Sequence, residues 1–311
     1  MKPRVLCVGN AVADAIARPV EALPPPGALR LTREIALHPG GNAVNTSLAL
    51  SRLGVQASAA IAIGRDGFGD YLLGRLAAAG VRPAVVVRHP RLQTSATVVT
   101  VTRKGERSFT HVLGAGAALT DRKIPLAVLK RHDHLHLCGF FIMPGLDGRP
   151  AARLLARARR LGLSTTLNTS GDPRGRAALL TPCLPHVDWL LVSVEEARAA
   201  LGGGSPAALA RRLLAMGVRR GVVLTLGPGG SLACPRDGAP VRVPAFRTRV
   251  VDATGAGDCF CAGFIAGLLR GRPPSICARL GNAASALSVA GLGGQGRLRS
   301  SAQLRRLAGL S

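Results

Sequence analysis

Hydrophobic residues occur along the chain in short runs that alternate with longer segments of helical period. The first run, Val5 to Val8, predicts a buried strand that ends in a turn at Gly9-Asn10. Further strands are predicted at 57–63, 94–101, 107–112, 134–137, 164–168, 189–192 and 222–226, and helices at 45–53, 68–79, 151–161, 195–201 and 207–216. Strands that alternate with helices of about ten residues predict a mostly parallel sheet with helices on both faces, the α/β class.

Two segments, about 12–38 and 92–113, interrupt this alternation. The first lacks helical periodicity, and the second reads as a hairpin with its turn at Arg103 to Glu106. We expect the two to meet as a small β lid over the carboxyl edge of the sheet, where open α/β sheets bind ligands. The sequence therefore predicts one domain, 1–311, with an inserted lid, and exposed lid strands favour a homodimer.

Composition sets limits on the function. The chain has 311 residues, 47% hydrophobic content and a net charge of +25, which raises nucleic-acid binding as an alternative function. The positive charge is almost all arginine scattered over helical faces, and aromatic residues for base stacking are only 3% of the chain. We therefore expect no nucleic-acid partner, while a non-catalytic nucleic-acid-binding or regulatory protein remains the alternative from another class.

The chain shows no pattern of export or membrane insertion. Met1-Lys2-Pro3-Arg4 leads directly into the first strand, and no uncharged apolar stretch of about 18 residues follows. The seven cysteines are odd in number and form no CxxC pair, which suits a reducing compartment. We expect a cytoplasmic protein without a membrane partner.

The segment Val251 to Phe260 carries the clearest chemistry. Asp252 and Asp258 flank Gly255-Ala256-Gly257, and an apolar pattern of helical period follows. The glycines would lie at a helix N-terminus, where free N–H groups bind anions such as phosphate. A carboxylate at Asp258 can accept the proton of an attacking alcohol. The alternative is that Asp258 merely caps the helix, and this motif alone does not exclude it.

A second motif, Gly40-Gly41-Asn42-Ala43-Val44-Asn45, precedes a helix, and further glycine-rich motifs begin at Gly64 and Thr225. In this order the motifs resemble the PfkB/ribokinase family of carbohydrate kinases over nearly the full chain. The resemblance implies a ribokinase-like three-layer α/β/α sandwich with a mostly parallel central sheet and a small β lid. It also implies ATP-dependent phosphoryl transfer to a sugar hydroxyl, expected to be primary, with Asp258 as general base and the 255–257 amides as anion hole.

The same resemblance assigns the substrate side of the site. The residues that match the family's sugar-binding positions are Asp14, Gly41, Asn42 and Asn45. Phe140, near the end of a middle strand, could form an aromatic wall against a sugar face or a nucleobase, so a nucleoside kinase stays open. His111, Arg103 and Arg107 on the lid hairpin are candidate contacts for an acidic sugar, or are simply solvated.

The resemblance also assigns the nucleotide and metal side. The positions that match nucleotide contacts are Ser193, Thr225, Gly227, Gly230 and, near the adenine, Asn282. Mg²⁺ is expected because it bridges phosphate oxygens, and Glu196 would hold it through water, with Ser193 where the family usually has Asn.

Many family members also bind a monovalent cation. The matching positions for K⁺ are Asp252, Thr254, Ser288, Gly291 and Gly293. Arg297 falls where ribokinases have a hydroxyl ligand, and a guanidinium there would repel the cation, which argues against potassium activation.

Overall fold

The computed structural model describes residues 3–172 and 174–310 and contains two sheets. The strands are β1 (Arg4–Val8), β2 (Val12–Arg18), β3 (Glu34–Gly40), β4 (Gln56–Ile63), β5 (Val85–Arg88), β6 (Ser95–Val101), β7 (Arg107–Val112), β8 (His134–Phe140), β9 (Ser164–Thr169), β10 (Trp189–Ser193), β11 (Gly221–Thr225), β12 (Ser231–Pro235) and β13 (Val241–Val243). The α-helices are α1 (Asn42–Arg52), α2 (Gly67–Ala78), α3 (Leu126–Leu129), α4 (Arg149–Arg160), α5 (Val194–Leu201), α6 (Pro206–Ala215), α7 (Ala256–Leu268), α8 (Pro274–Val289) and α9 (Ser301–Ala308).

The main sheet has nine strands in the order β13-β12-β11-β10-β9-β8-β1-β4-β5. All neighbours from β11 to β5 are parallel, and β12 and β13 continue the sheet antiparallel at one edge. In β1, Val5 and Cys7 enter one hydrophobic cluster, whereas Leu6 and Val8 enter the cluster on the opposite face. Burial on both faces explains why this strand is a continuous apolar run rather than an alternating one.

Helices cover both faces of the main sheet. Helices α1, α2, α7, α8 and α9 pack against one face, and α4, α5 and α6 pack against the other. The predicted three-layer α/β/α sandwich with a mostly parallel sheet is thereby confirmed. Within residues 3–172 and 174–310, no helix is long and apolar enough to cross a membrane.

The two interrupting segments form one separate sheet of four strands in the order β3-β2-β6-β7, called the small sheet below. Strands β6 and β7 form the predicted antiparallel hairpin, and β2 pairs with β6 in parallel. Asp14 on β2 is in register with His38 on β3 and with Thr97 on β6, which is in register with His111 on β7. Residues in register across a sheet share a face, so these four side chains line one face of the small sheet.

Several elements were not predicted from the pattern: β5, β12, β13, α8 and α9. Helix α8 lacks a clear amphipathic stripe because small residues let it lie very close to α7. A Cβ built on Gly263 of α7 would come within 2.5 Å of the carbonyl oxygen of Leu280 on α8. Helix α7 is almost wholly buried between α8 and α1, which fixes the position of its N-terminus.

Gly263→Ala should lower the free energy of unfolding by about 1–3 kcal/mol, because the added methyl group meets backbone that cannot rotate away. The matched control is Gly74→Ala on the exposed face of α2, where a built Cβ has nothing within 4 Å. That change should raise the stability by about 0.5–1 kcal/mol, since alanine is the better helix former. Urea unfolding of both variants measures the difference, and a stabilised Gly263→Ala protein would contradict the close packing of α7 on α8.

Candidate active site

Polar residues gather at the carboxyl edge of the main sheet. Strand β1 lies there between β4 and β8, so the chain leaves the centre of the sheet in both directions, and open α/β sheets bind ligands at such a point. Two adjoining cavities of about 550 and 300 Å³ open at this edge. Both are lined by Thr225, Ala253, Ala256, Gly257 and Phe260, so they form one cleft that meets at the start of α7.

Asp258 lies at the floor of the smaller cavity and is 6% exposed. Its carboxylate accepts hydrogen bonds from Nδ2 of Asn42 at 2.7 Å and from Nδ2 of Asn45 at 2.9 Å. The helix cap is instead Gly255, so Asp258 does not cap α7. Burial raises the pKa of Asp258 to about 6, against the two hydrogen bonds that lower it. A carboxyl group with this pKa is ionised at neutral pH and still basic enough to take up a proton.

The turn before α7 presents free backbone amides to the cleft. Gly255 has φ 72°, a left-handed conformation that glycine adopts without strain. The amide of Ala256 donates to the carbonyl of Ala253 at 3.3 Å, whereas those of Gly255 and Gly257 find no hydrogen-bond acceptor among the described residues. A Cβ on Gly257 would meet nothing within 4 Å, so a ligand can approach this backbone closely. The turn therefore has the form of an anion-binding helix N-terminus.

Asn10 and Gln295, which sequence reasoning missed, hold the two asparagines in place, and Gly139 leaves room for Asn42. Oδ1 of Asn10, just after β1, accepts from the amide of Asn42 at 2.8 Å. Nε2 of Gln295 donates to Oδ1 of Asn45 at 2.9 Å, which turns Nδ2 of Asn45 toward Asp258. Gly139 lies so close that a Cβ there would be 2.6 Å from Oδ1 of Asn42. The position of Asn10 after a buried strand was the one available indication in the sequence.

Asp14 projects from the small sheet toward the same region. A Cβ on Gly40 would come within 2.0 Å of its Oδ2, so glycine is required at position 40 to make room for the carboxylate. Burial raises the pKa of Asp14 to about 6, and the charges of Asp252 and Asp258 add to this, while Thr97 and Arg107 oppose it. His111 lies beside Thr97, with Nδ1 and Oγ1 3.1 Å apart, and partial burial lowers its pKa, so the ring is neutral at pH 7.

Asp252 has a side chain with no solvent exposure and forms an ion pair with Arg107 of β7 at 2.5 Å. Its oxygens also accept from the amides of Thr254 at 2.7 Å and of Gly293 at 2.9 Å. Burial alone would raise the pKa of Asp252, but these bonds and the Arg107 charge hold it below the ordinary value. Of the candidate K⁺ ligands, Asp252 and Thr254 thus contact the guanidinium of Arg107, and Gly293 is hydrogen-bonded to Asp252. The expected competitor Arg297 is exposed, and the arginine that lies beside Asp252 is instead Arg107.

The candidate nucleotide residues line the larger cavity, whose walls are mostly apolar. Thr225, Gly227, Gly230 and Asn282 all border it. Nδ2 of Asn282 donates to the carbonyls of Val243 at 3.0 Å and Pro244 at 3.1 Å, which secures the loop that forms one wall.

Ser193 and Glu196 border the smaller cavity and cap α5 reciprocally. Oε2 of Glu196 accepts from the amide of Ser193 at 3.0 Å and from Oγ1 of Thr169 at 2.8 Å, so both bonds fall on one carboxylate oxygen. Ser193 therefore orients Glu196 at the edge of the cleft. Phe140, in contrast, is 1% exposed and packs edge-to-face on Phe141 in the core, so the structure does not bring it to the cleft as an aromatic wall.

The chain is similar to known proteins both in sequence and in fold. The sequence model of the pfkB family carbohydrate kinases matches residues 2–300. A fructokinase of Klebsiella pneumoniae is 28% identical over 289 residues, which make up 89% of each protein. The structure of Arabidopsis thaliana ribokinase, complexed with ribose and ATP, has a TM-score of 0.84 at 22% identity over 100% of both chains. A putative ribokinase II from E. coli, in complex with ATP and Mg²⁺, has a TM-score of 0.83 at 22% identity over 98% of both chains.

Proposed function

The chain belongs to the pfkB family of carbohydrate kinases, and on that basis we propose that it transfers the γ-phosphoryl group of ATP to a hydroxyl group of a neutral sugar. The observation that carries the proposal is the two-part cleft. Its larger, apolar part and its smaller, polar part meet at Gly257, directly beside the buried carboxylate of Asp258. A nucleotide base suits the first part and a polyol suits the second, which leaves the phosphates at the free amides.

Asp258 acts as the general base in this proposal. With a pKa near 6 it is ionised at neutral pH, and it takes the proton from the attacking hydroxyl group as the oxygen forms its bond to phosphorus. Asn42 and Asn45 keep the carboxylate directed into the cleft. The amides of Gly255 and Gly257 stabilise the negative charge of the phosphoryl group during transfer.

The residues fit ATP and Mg²⁺. The 550 Å³ cavity is large enough for a nucleoside, and its mostly apolar lining includes the polar residues Thr225, Arg247, Thr248, Asn282 and Ser285. Glu196 provides a carboxylate at the polar end of the cleft, where Oε1 is not taken by the capping bonds and can accept from a metal-bound water. When bound, the magnesium nucleotide supplies the phosphoryl group and neutralises part of its charge. The ribokinase complexes with ATP support this assignment.

The charges of the site favour a neutral sugar over an acidic one. The charges of Asp258 and Asp252 add to the effect of burial in raising the pKa of Asp14, so negative charge is already concentrated at this end of the cleft. Arg107, the cation that acts on Asp14, is already paired with Asp252 and is not free for a substrate carboxylate. His38 and His111 have pKa values lowered by burial, so they add no positive charge at pH 7. A sugar acid or sugar phosphate would meet uncompensated carboxylates, whereas hydroxyl groups can donate to them.

Asp258→Asn should lower kcat by about 10²-fold or more, because an amide cannot accept the proton. In the unaltered enzyme, kcat/KM should rise with pH through about 6, where the base ionises, and then level off. An ADP-release assay with sugar measures both effects. The control is Asp70→Asn, which changes an exposed carboxylate that pairs with Arg88 at 2.8 Å and should leave the profile unaltered. Near-normal turnover of Asp258→Asn would exclude this residue as the base.

A panel of acceptors tests the substrate class. Fructose and ribose should be phosphorylated with kcat/KM at least about 10-fold above that of 2-keto-3-deoxygluconate or fructose 6-phosphate, since like charges within ~6 Å repel by a few kcal/mol. Adenosine and inosine test the nucleoside-kinase alternative on the same assay. Phosphorylation of the sugar acid alone would contradict the charge argument. Preference for a nucleoside would show that the substrate is a nucleoside rather than a sugar. Tight, salt-sensitive binding of nucleic acid without any phosphorylated product would support the non-catalytic alternative.

We also propose a homodimer through the small sheet. The face opposite Asp14 exposes Ile35 at 73% and Val98 at 54%, an apolar surface that a second copy would cover. Replacing both by lysine should convert a dimer into a monomer in sedimentation velocity. Leu126→Lys, which changes a leucine on α3 that is 50% exposed, should leave the dimer intact. A monomeric unaltered protein would contradict the proposal.

A further inference from the structure

We propose that Arg107 is a positioning residue that makes the geometry of the turn at 252–257 depend on where the small sheet lies. The inference rests on the proposed function only in taking that turn as the anion hole. Arg107 belongs to β7, at the edge of the small sheet, yet its guanidinium reaches the other wall of the cleft. There it contacts two residues of the turn, pairing with Asp252 and donating to the hydroxyl of Thr254.

Asp252, which Arg107 contacts, is also hydrogen-bonded to two backbone segments. Oδ1 accepts from the amide of Thr254, which begins the turn, and Oδ2 accepts from the amide of Gly293 in the loop after α8. A single carboxylate therefore fixes the spacing between the turn and the glycine loop. Its orientation is set in turn by Arg107, because the guanidinium shares Oδ1 with Thr254.

The glycine loop leads on to the base. Gly255 lies so close that a Cβ there would be 2.4 Å from the carbonyl oxygen of Gly294. The next residue, Gln295, orients Asn45, which donates to Asp258. The free amides of the turn and the carboxylate of Asp258 are thus both held by a loop that Asp252 anchors. A continuous set of packed groups of this kind is what energetic coupling between two parts of a protein requires.

The coupling is strong because the ion pair between Arg107 and Asp252 is buried. Asp252 has no exposure, and Arg107 is only 15% exposed, so the pair is shielded from solvent screening. A buried carboxylate that loses its cation is strongly disfavoured and either takes up a proton or moves toward water. Either change weakens its hold on Thr254 and Gly293. The turn consequently keeps its anion-binding form while the small sheet covers the cleft, and phosphoryl transfer is coupled to a closed cleft from which water is excluded.

Another arginine of the small sheet provides a matched control. Arg18 on β2 pairs with Glu34 on β3, with Nε 2.8 Å from the carboxylate. This pair joins two strands of the small sheet, and among the described residues no side-chain hydrogen bond or ion pair of Arg18 or Glu34 reaches the main sheet or its helices. Arg18→Ala therefore removes an ion pair from the same sheet without touching the turn.

The test compares Arg107→Ala, Arg107→Lys and Arg18→Ala. In Arg107→Ala, hydrogen–deuterium exchange should be faster in the segments 252–258 and 291–296, whereas Arg18→Ala should leave both unchanged. With a neutral sugar, kcat of Arg107→Ala should fall by at least about 5-fold while KM for the sugar stays within about 2-fold. Arg107→Lys should recover part of the loss, and millimolar guanidinium should restore turnover of Arg107→Ala but not affect Arg18→Ala.

Unchanged exchange in both segments of Arg107→Ala would overturn the proposal. So would a defect confined to KM for the sugar, because Arg107 would then act on the substrate directly. If the unaltered protein phosphorylated no sugar, the proposed function would fail, but the exchange measurement would still decide the role of Arg107.

Discussion

The proposed chemistry depends on keeping one carboxylate, that of Asp258, ionised although the residue is buried. Neutral amide donors on Asn42 and Asn45 supply the stabilisation, and these residues are three apart on α1 and therefore share its face toward α7. Both helices must then approach closely with their N-termini in the cleft. Glycine at positions 139, 255 and 294 removes side chains that would otherwise collide with this arrangement. The compromise between burial and hydrogen bonding leaves the pKa of the carboxyl group near the range in which proton transfer is efficient.

The large excess of arginine has a structural use in this fold. Arg212 donates to the carbonyl of Leu201 at the end of α5, and Arg270 donates to that of Ala266 in the last turn of α7. Arg279 in the same way satisfies the carbonyl of Ala308 at the end of α9. Carbonyl groups at helix C-termini lack partners within the helix, and a positive charge there is favourable. A guanidinium engaged in this way is held by the fold rather than aligned to meet an external phosphate.

The sequence was most informative where the physics is local or strongly patterned. Continuous apolar runs located most strands of the main sheet, and the glycine-flanked Asp258 indicated the start of α7 and the turn before it. Helix α8 was not predicted because its small residues allow a close contact with α7, and hydrophobic periodicity does not reveal such a contact. Asn10 and Gln295 were not predicted as site residues because they act through hydrogen bonds to residues distant in sequence. Phe140 was expected at the cleft but lies in the core. The sequence does not show which way an aromatic residue at a strand end points, because that depends on the pleat of the strand. The ion pair between Arg107 and Asp252 joins segments that no motif connects.

The chain order of the site has a consequence for how the protein is made. Asp258 follows its partner Asn42 by 216 residues. Contacts between residues so far apart in sequence form only after the intervening chain has become compact. During synthesis, the early helix α1 is exposed with its two amides unpaired until α7 leaves the ribosome. If Asp258 has its proposed role, every shorter intermediate lacks the base, and phosphoryl transfer is acquired in a single late step, together with the native packing of the last helices.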